Sequence, residues 1–384
     1  MNTELLIAHG NQCREERRPE EALAYYAQAF TQDRHAAGAF NNYGNVLREC
    51  GEPEAAIPFL QRSIQLDPTN ITAQFNLAVA YLLAGNYELG WPQYEYRWRY
   101  EHLAGLLPNF TQPRWHGEDV QGKTVFLVGE QGHGDIIMFG RFIQSVKDRG
   151  ARVAIHVTEG LVPLFEQSAM CQDVVVSTNS RPLPEFDYWI PMMALPEVLG
   201  TRVNTIPNNL QYLSASTTST AAWRAKLGLK TRLRVGFCWS GRPDSWLNQH
   251  KGMPIEHMLA LIQRNPNYDW YNLQADCNTE DQALLVAAGV HCFPGQIHSF
   301  ADSAALITNL DVVISVDTAV AHLAGALGRP TWVMLNWFAL DWRWLLNRDD
   351  NPWYPSARLF RQPGQDDWAA VTDKVHQYLS WFKI

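Results

Sequence analysis

The sequence lacks any pair of cysteines close enough for a CxxC motif, so neither a zinc knuckle nor a dithiol redox centre is visible. Its six cysteines, Cys13, Cys50, Cys171, Cys238, Cys277 and Cys292, stand singly, as expected in a reducing cytoplasm. Long apolar runs are also missing. Nothing approaches the roughly 18 apolar residues of a membrane span, and the longest apolar run near the start, residues 5–8, is too short for the core of a signal peptide. Basic excess is absent: 31 Lys and Arg face 39 Asp and Glu, a net charge of -8, which excludes a general nucleic-acid binder and leaves room only for a local basic pocket. Charged residues are few at 18%, against 46% hydrophobic, so the chain is not disordered. A length of 384 residues suggests two or three domains. Tryptophan, by contrast, is abundant: seven of the 15 fall between Trp332 and Trp381.

The first hundred residues repeat. Residues 3–36 and 37–70 align at a period of 34, with Gly10 on Gly44, Ala22 on Ala56, Tyr26 on Leu60 and Leu6 on Phe40. A third copy begins at Ile71 and keeps Leu77, Ala78, Tyr81 and Gly85 before departing from the pattern. The period predicts pairs of antiparallel helices. Small residues (Gly44, Ala56, Ala78) allow close crossing, and large ones (Phe40, Leu60, Tyr81) fill between them. One pair cannot bury its apolar face alone, so pairs stack. This pattern resembles the tetratricopeptide repeat (TPR), whose stacks bind peptides or proteins or serve only as docking platforms.

After residue 105 a linker containing Pro108, Pro113 and Trp115 leads to alternating strand and helix patterns, which imply parallel sheets covered by helices. The first series predicts strands at 124–128, 151–157, 173–177 and 187–190, with helices at 136–149 and 161–168. The second predicts strands at 235–239, 270–274, 290–293, 311–316 and 331–335, with helices at 255–263, 279–288, 299–308 and 317–328, and a last helix at 366–382. Two doubly wound units in tandem create a crevice at the carboxyl ends of their strands. The expected fold is therefore α/β with an all-α N-terminal part. The expected boundaries are 1–105 for the helical repeats, 106–228 and 229–365 for two Rossmann-like domains, and 366–384 for a helix crossing back to the first of these.

Three stretches carry a resemblance: Gly129-Glu-Gln-Gly-His-Gly-Asp135, Val235-Gly-Phe-Cys-Trp-Ser-Gly241, and Asp311-Val-Val-Ile-Ser-Val-Asp-Thr-Ala-Val-Ala-His-Leu-Ala-Gly325. Together they resemble TPR-containing bacterial GT-B glycosyltransferases, with a catalytic part similar to the heptosyltransferase family and distantly to the O-GlcNAc transferases. The resemblance implies a metal-independent, inverting transfer from a nucleotide-sugar co-substrate to a protein or surface glycan, with no further cofactor. The helical repeats would serve as the acceptor or partner platform. A non-catalytic TPR adaptor on a degenerate transferase body is the alternative. No DxD motif ends a strand; Asp349-Asp350 lies in a polar stretch.

The candidate residues follow from these motifs. Asp317, Thr318 and Ala319 follow a buried strand and open a helix, whose free amides and dipole suit a phosphate. Asp317, being negative, is expected as the helix cap. Lys251 is the expected cation for the leaving group, with Arg242 as an alternative; relatives usually carry an arginine at the Lys251 position. Ser240 and Gly241 allow close backbone approach at a strand end. Gln274 matches a family position near the base, Asp302 is a cap or a ribose contact, and His322 is a donor contact or a satisfied core histidine. Asp135 corresponds to the family's proposed base but also suits a helix cap, and His133 is the rival base or a plain loop residue. Glu130, Gln131 and Gly134 are placed with the acceptor. Trp337, Trp342, Arg343 and Trp344 either stack on a sugar or base, or pack as core.

Overall fold

The computed structural model describes residues 1–100, 103–241 and 251–382. It divides into two compact units. One comprises residues 1–110 with 196–206 and 337–348; the other comprises 111–195, 207–336 and 349–384.

In the first unit the 34-residue period becomes three helix pairs: α1 (Thr3–Glu15) with α2 (Pro19–Gln32), α3 (Ala37–Glu49) with α4 (Pro53–Leu66), and α5 (Ile71–Leu83) with α6 (Tyr87–Tyr94). Proline opens α2 and α4, where its missing N–H costs nothing. Asn2, Asn70 and Asn86 accept amide hydrogen bonds at the starts of α1, α5 and α6. The aligned glycines explain the close crossings. A methyl group on Gly10 would lie 2.4 Å from the Tyr26 ring, and one on Gly44 would lie 2.8 Å from Leu60 and 3.1 Å from the Ala56 carbonyl oxygen. Ala22, Ala56 and Ala78 are fully buried.

A feature invisible in the repeat pattern completes this unit. Trp342, buried, meets Trp91 edge-on at 5.2 Å and Tyr94 at 6.3 Å. A methyl group on Gly51 would lie 3.0 Å from Leu340. The tryptophan-rich segment 337–348 thus packs as core of the helical unit, and stacking of Trp342 on a sugar or base is ruled out by its burial.

The second unit holds two parallel sheets. The first, in order β3-β2-β1-β4, consists of β1 (Thr124–Val128), β2 (Arg152–His156), β3 (Val175–Ser177) and β4 (Tyr188–Pro191). The second, in order β6-β5-β7-β8-β9, consists of β5 (Arg234–Cys238), β6 (Asp269–Asn272), β7 (Val312–Val316), β8 (Thr331–Leu335) and β9 (Ala357–Arg361). Strands β5, β7 and β8 are buried along their whole length, as sheets covered on both faces require.

Several sequence expectations are corrected. The expected linker contributes to the first sheet: Trp115 is fully buried, and its amide bonds the Trp189 carbonyl at 2.8 Å. The single helix expected at 136–149 is two, α7 (His133–Phe139) and Phe142–Lys147. The strand expected at 290–293 is only a bridge between Tyr271 and His291. The helix Thr217–Leu227, which buries only Thr220 and Trp223, and the edge strand β9 were not foreseen. The last helix, Trp368–Trp381, was expected to return to the first sheet. Its face of Trp368, Val371, Val375 and Leu379 instead enters the core of the second, where Tyr268 donates to the Leu379 carbonyl at 2.6 Å.

Gly44→Ala, a change that usually stabilises a helix interior by about 1 kcal/mol, is expected to destabilise here. Overpacking against Leu60 and the Ala56 carbonyl should cost about 1–3 kcal/mol. Denaturant unfolding followed by circular dichroism checks the sign.

Candidate functional site

Both sheets have a switch point, where neighbouring connections leave in opposite directions. In the second sheet it lies between β5 and β7. Ser240 and Gly241 follow β5, and Asp317 and Thr318 follow β7, so four of the expected donor residues converge on one crevice mouth. In the first sheet the equivalent point lies between β1 and β4. There the Glu130 carboxylate accepts the Met193 amide at 3.0 Å and ties the two strand ends together. Gln131 takes a left-handed backbone, φ 59°, in the turn before α7.

The two crevice rims touch. A methyl group on Gly134 would lie 2.8 Å from His322 Cδ2 and 3.5 Å from the Ala319 Cα. Glycine at 134 is therefore the condition for α7 to lie against the helix Ala319–Ala326. The His133 ring sits 5.0 Å from the Phe300 ring, tilted. Asp135, the third residue of α7, accepts the Gly132 amide at 2.9 Å, which makes it part of a cap. It remains half-buried, beside the crevice.

The charges pair differently from expectation. Lys251 donates to Asp317 in an ion pair whose side chains are only 15% and 7% exposed. Asp317 is not the helix cap; that position falls to Thr318, whose hydroxyl is shared with Ser315 Oγ at 3.0 Å rather than turned to the helix amides. His322 is buried and shares a hydrogen bond with the Tyr354 hydroxyl at 2.9 Å, while its Nε2 stands 3.7 Å from Asp317. Burial pushes the Tyr354 phenol well above its ordinary pKa, so it remains a neutral hydroxyl. Burial likewise raises the Cys238 thiol, which disfavours its thiolate form.

Gln274 accepts the Ser240 amide at 3.1 Å and so braces the end of β5. It also lines a hollow of about 240 Å³ together with Asn272, Cys277, Cys292 and Phe293. Asp302 accepts from the His298 and Ser299 amides and the Ser299 hydroxyl, each at 3.0 Å, so it is a cap. Arg242 lies outside the described residues. Among the described residues no group of three or more His, Cys, Asp or Glu side chains is placed to hold a metal ion.

Sequence reasoning missed the support behind this site. Arg141, buried, donates to the Met138 carbonyl at 2.8 Å, to the Tyr212 hydroxyl at 3.2 Å and to the Trp353 carbonyl, and it stacks over Tyr354, 4.6 Å from the ring centre. Tyr354 is the partner of His322. These groups come from distant parts of the chain (Arg141 and Trp353 are 212 residues apart), so no local motif announces them.

Comparison with known proteins adds a family context. Residues 44–85 match the TPR repeat family model. Residues 297–333 match the model for glycosyltransferase family 9 (heptosyltransferase), and this stretch contains Asp302, Asp317, Thr318, Ala319 and His322. The chain combines both signatures. Protein FlbA of Caulobacter vibrioides is 26% identical across 94% of this chain and 70% of its own length. A glycosyl transferase family 9 structure from Veillonella parvula superposes over 70% of this chain and 92% of its own, at 12% identity and a TM-score of 0.50, and shares the fold. The E. coli heptosyltransferase WaaC with ADP-2-deoxy-2-fluoro heptose covers 67% of this chain and 99% of its own at 14% identity, with a TM-score of 0.45. The family 9 match supports glycosyl transfer as the broad activity.

Two substitutions probe this geometry. Lys251→Met should cost about 2–4 kcal/mol, because it strands a buried carboxylate. Adding Asp317→Asn to that variant should restore part of the loss. Thermal unfolding of wild type, both single variants and the double variant reads this directly; simple additivity would mean the pair is not coupled.

Proposed function

We propose that the protein transfers a sugar from a nucleotide-sugar donor to a protein or surface-glycan acceptor, by direct displacement with inversion and without a metal. The observation that carries this reading is the convergence of two switch points, with the residues after β5 and β7 on one rim and α7 on the other. The donor would lie on the second sheet. There the Ala319 and Val320 amides have no carbonyl within their own helix, and that helix start favours negative charge. Lys251 would shift part of its interaction from Asp317 to the leaving diphosphate. The hollow beside Gln274 would take the base. Ser240 and Gly241 would allow the backbone to approach the donor.

The acceptor would approach over the turn at residues 129–135. Asp135 would take the proton from its hydroxyl as the bond to the sugar carbon forms and the diphosphate leaves. His133, against Phe300, would position the acceptor or share the proton. The helical unit would present the acceptor or a partner protein. A second reading, a non-catalytic adaptor, is favoured by two observations: Asp317 already neutralises Lys251, and Asp135 already serves as a cap.

Thermal stabilisation by UDP, GDP, ADP, CDP and CMP distinguishes the two readings, since a ligand bound only to the folded state raises stability by RT ln(1 + [L]/Kd). One nucleotide diphosphate should stand out, and no shift with any would favour the adaptor. Asp135→Asn retains an oxygen for the Gly132 amide. It should lower turnover about 100-fold or more with the nucleotide shift unchanged; joint loss of both would make Asp135 structural.

A further inference from the structure

The helical unit carries an aromatic pocket of its own. Phe30 near the end of α2 stacks on Phe40 of α3, ring centres 4.7 Å apart and planes 13° apart. Phe30 also meets Tyr43 edge-on at 5.3 Å and Phe59 of α4 at 6.0 Å, and Tyr43 lies 4.5 Å from Phe59. All four rings are only half-buried. Beside them is a hollow of about 310 Å³ lined by Phe30, Thr31, Arg34, Phe40 and Arg62.

The pocket's charge identifies what suits it. Arg34 and Arg62 are exposed, and neither meets a carboxylate among the described residues; Arg62 reaches only Gln65, at 3.4 Å. Other arginines of this unit are matched by acids: Arg14 holds Glu49 at 2.5 Å, and Arg18 holds both Glu16 and Glu21. In a chain of net charge -8, two unmatched cations flanking an apolar floor are a local reversal of sign.

Other helix faces of the unit carry asparagines. Asn41, Asn45 and Asn76 are buried, with Asn76 donating to Asn41 at 3.0 Å, and Tyr100 stacks on Phe75 at 4.4 Å. The aromatic cluster flanked by Arg34 and Arg62 lies between α2, α3 and α4.

We propose that the pocket formed by Phe30, Phe40, Arg34 and Arg62 docks an acidic peptide segment of a partner protein. The segment would place one aromatic or large aliphatic side chain on the rings and carboxylates on the two guanidinium groups. Aromatic anchoring supplies the affinity, and the arginines, able to hold carboxylates in a forked geometry, supply the selection for acidic sequence. The proposal rests on the reading of the helical unit as a partner platform, and it is independent of the transfer chemistry.

The test uses the full chain and a short fluorescein-labelled peptide with one phenylalanine flanked on both sides by glutamates. Fluorescence anisotropy should show saturable binding. Arg34→Gln and Arg62→Gln should each weaken it about two- to fivefold, and together about tenfold. Replacing the peptide's glutamates by glutamines, or its phenylalanine by alanine, should weaken it by about tenfold or more. Both arginines are exposed, so the double variant should unfold at the wild-type temperature. The absence of saturable binding, or equal binding by the double variant, would overturn the proposal. So would arginine-dependent binding of phosphatidylserine-containing vesicles without peptide binding, which would make the surface a lipid contact. Transfer to a protein acceptor that persists in the double variant, without peptide binding, would sink this pocket and leave the platform reading standing.

Discussion

The missing side chain at Gly134 is the constraint on which the crevice depends. Helix α7 can reach the helix Ala319–Ala326 only because nothing projects from position 134 toward His322. His322 cannot readily give way, because it is buried and bonded to Tyr354. Tyr354 in turn lies under Arg141, which is anchored at the end of α7 through the Met138 carbonyl. The contact closes on itself: α7 to His322, His322 to Tyr354, Tyr354 to Arg141, and Arg141 back to α7. Such a loop fixes the separation of the two switch points, and the proposed transfer would need that fixed separation of groups on opposite rims.

At the β7 end of the crevice the charges are nearly balanced. Asp317 and Lys251 cancel, Thr318 is engaged with Ser315, and Tyr354 and Cys238 are held neutral by burial. A site with a large unpaired charge would be costly to bury in the absence of a ligand. The ion pair stores a cation at low cost, and an anionic ligand can draw on it. In the proposed function the pairing would weaken the hold on phosphate relative to an unpaired arginine, since Asp317 would compete for the same ammonium group.

The fold was largely legible in the sequence. The 34-residue period fixed the helix pairs because Gly10 and Gly44 are required by direct contacts with Tyr26 and Leu60, one per repeat. Buried strands such as Thr331–Leu335 were legible because parallel strands covered on both faces are apolar throughout. The edge strand Ala357–Arg361 was not, since arginines at both the second and last positions break that pattern. Within the site, strand ends and turns could be read. Pairings could not: nothing local says that Asp317 turns to Lys251, 66 residues away, instead of capping its own helix.

The helical unit shows the same division between local and distant information. A stack of three helix pairs must end somewhere, and its last pair exposes an apolar face that a further repeat would have covered. Here that face is met by chain from far along the sequence: Trp342 seats against Trp91 and Tyr94 of the last pair, while Leu340 lies near Gly51 in the turn of the second. The tryptophan concentration near the C-terminus is therefore explained in part by the needs of a repeat array that begins at the N-terminus. With the end of the stack sealed in this way, one half-open aromatic surface of the unit lies between α2, α3 and α4. Among the described residues, neither of its arginines pairs with a carboxylate.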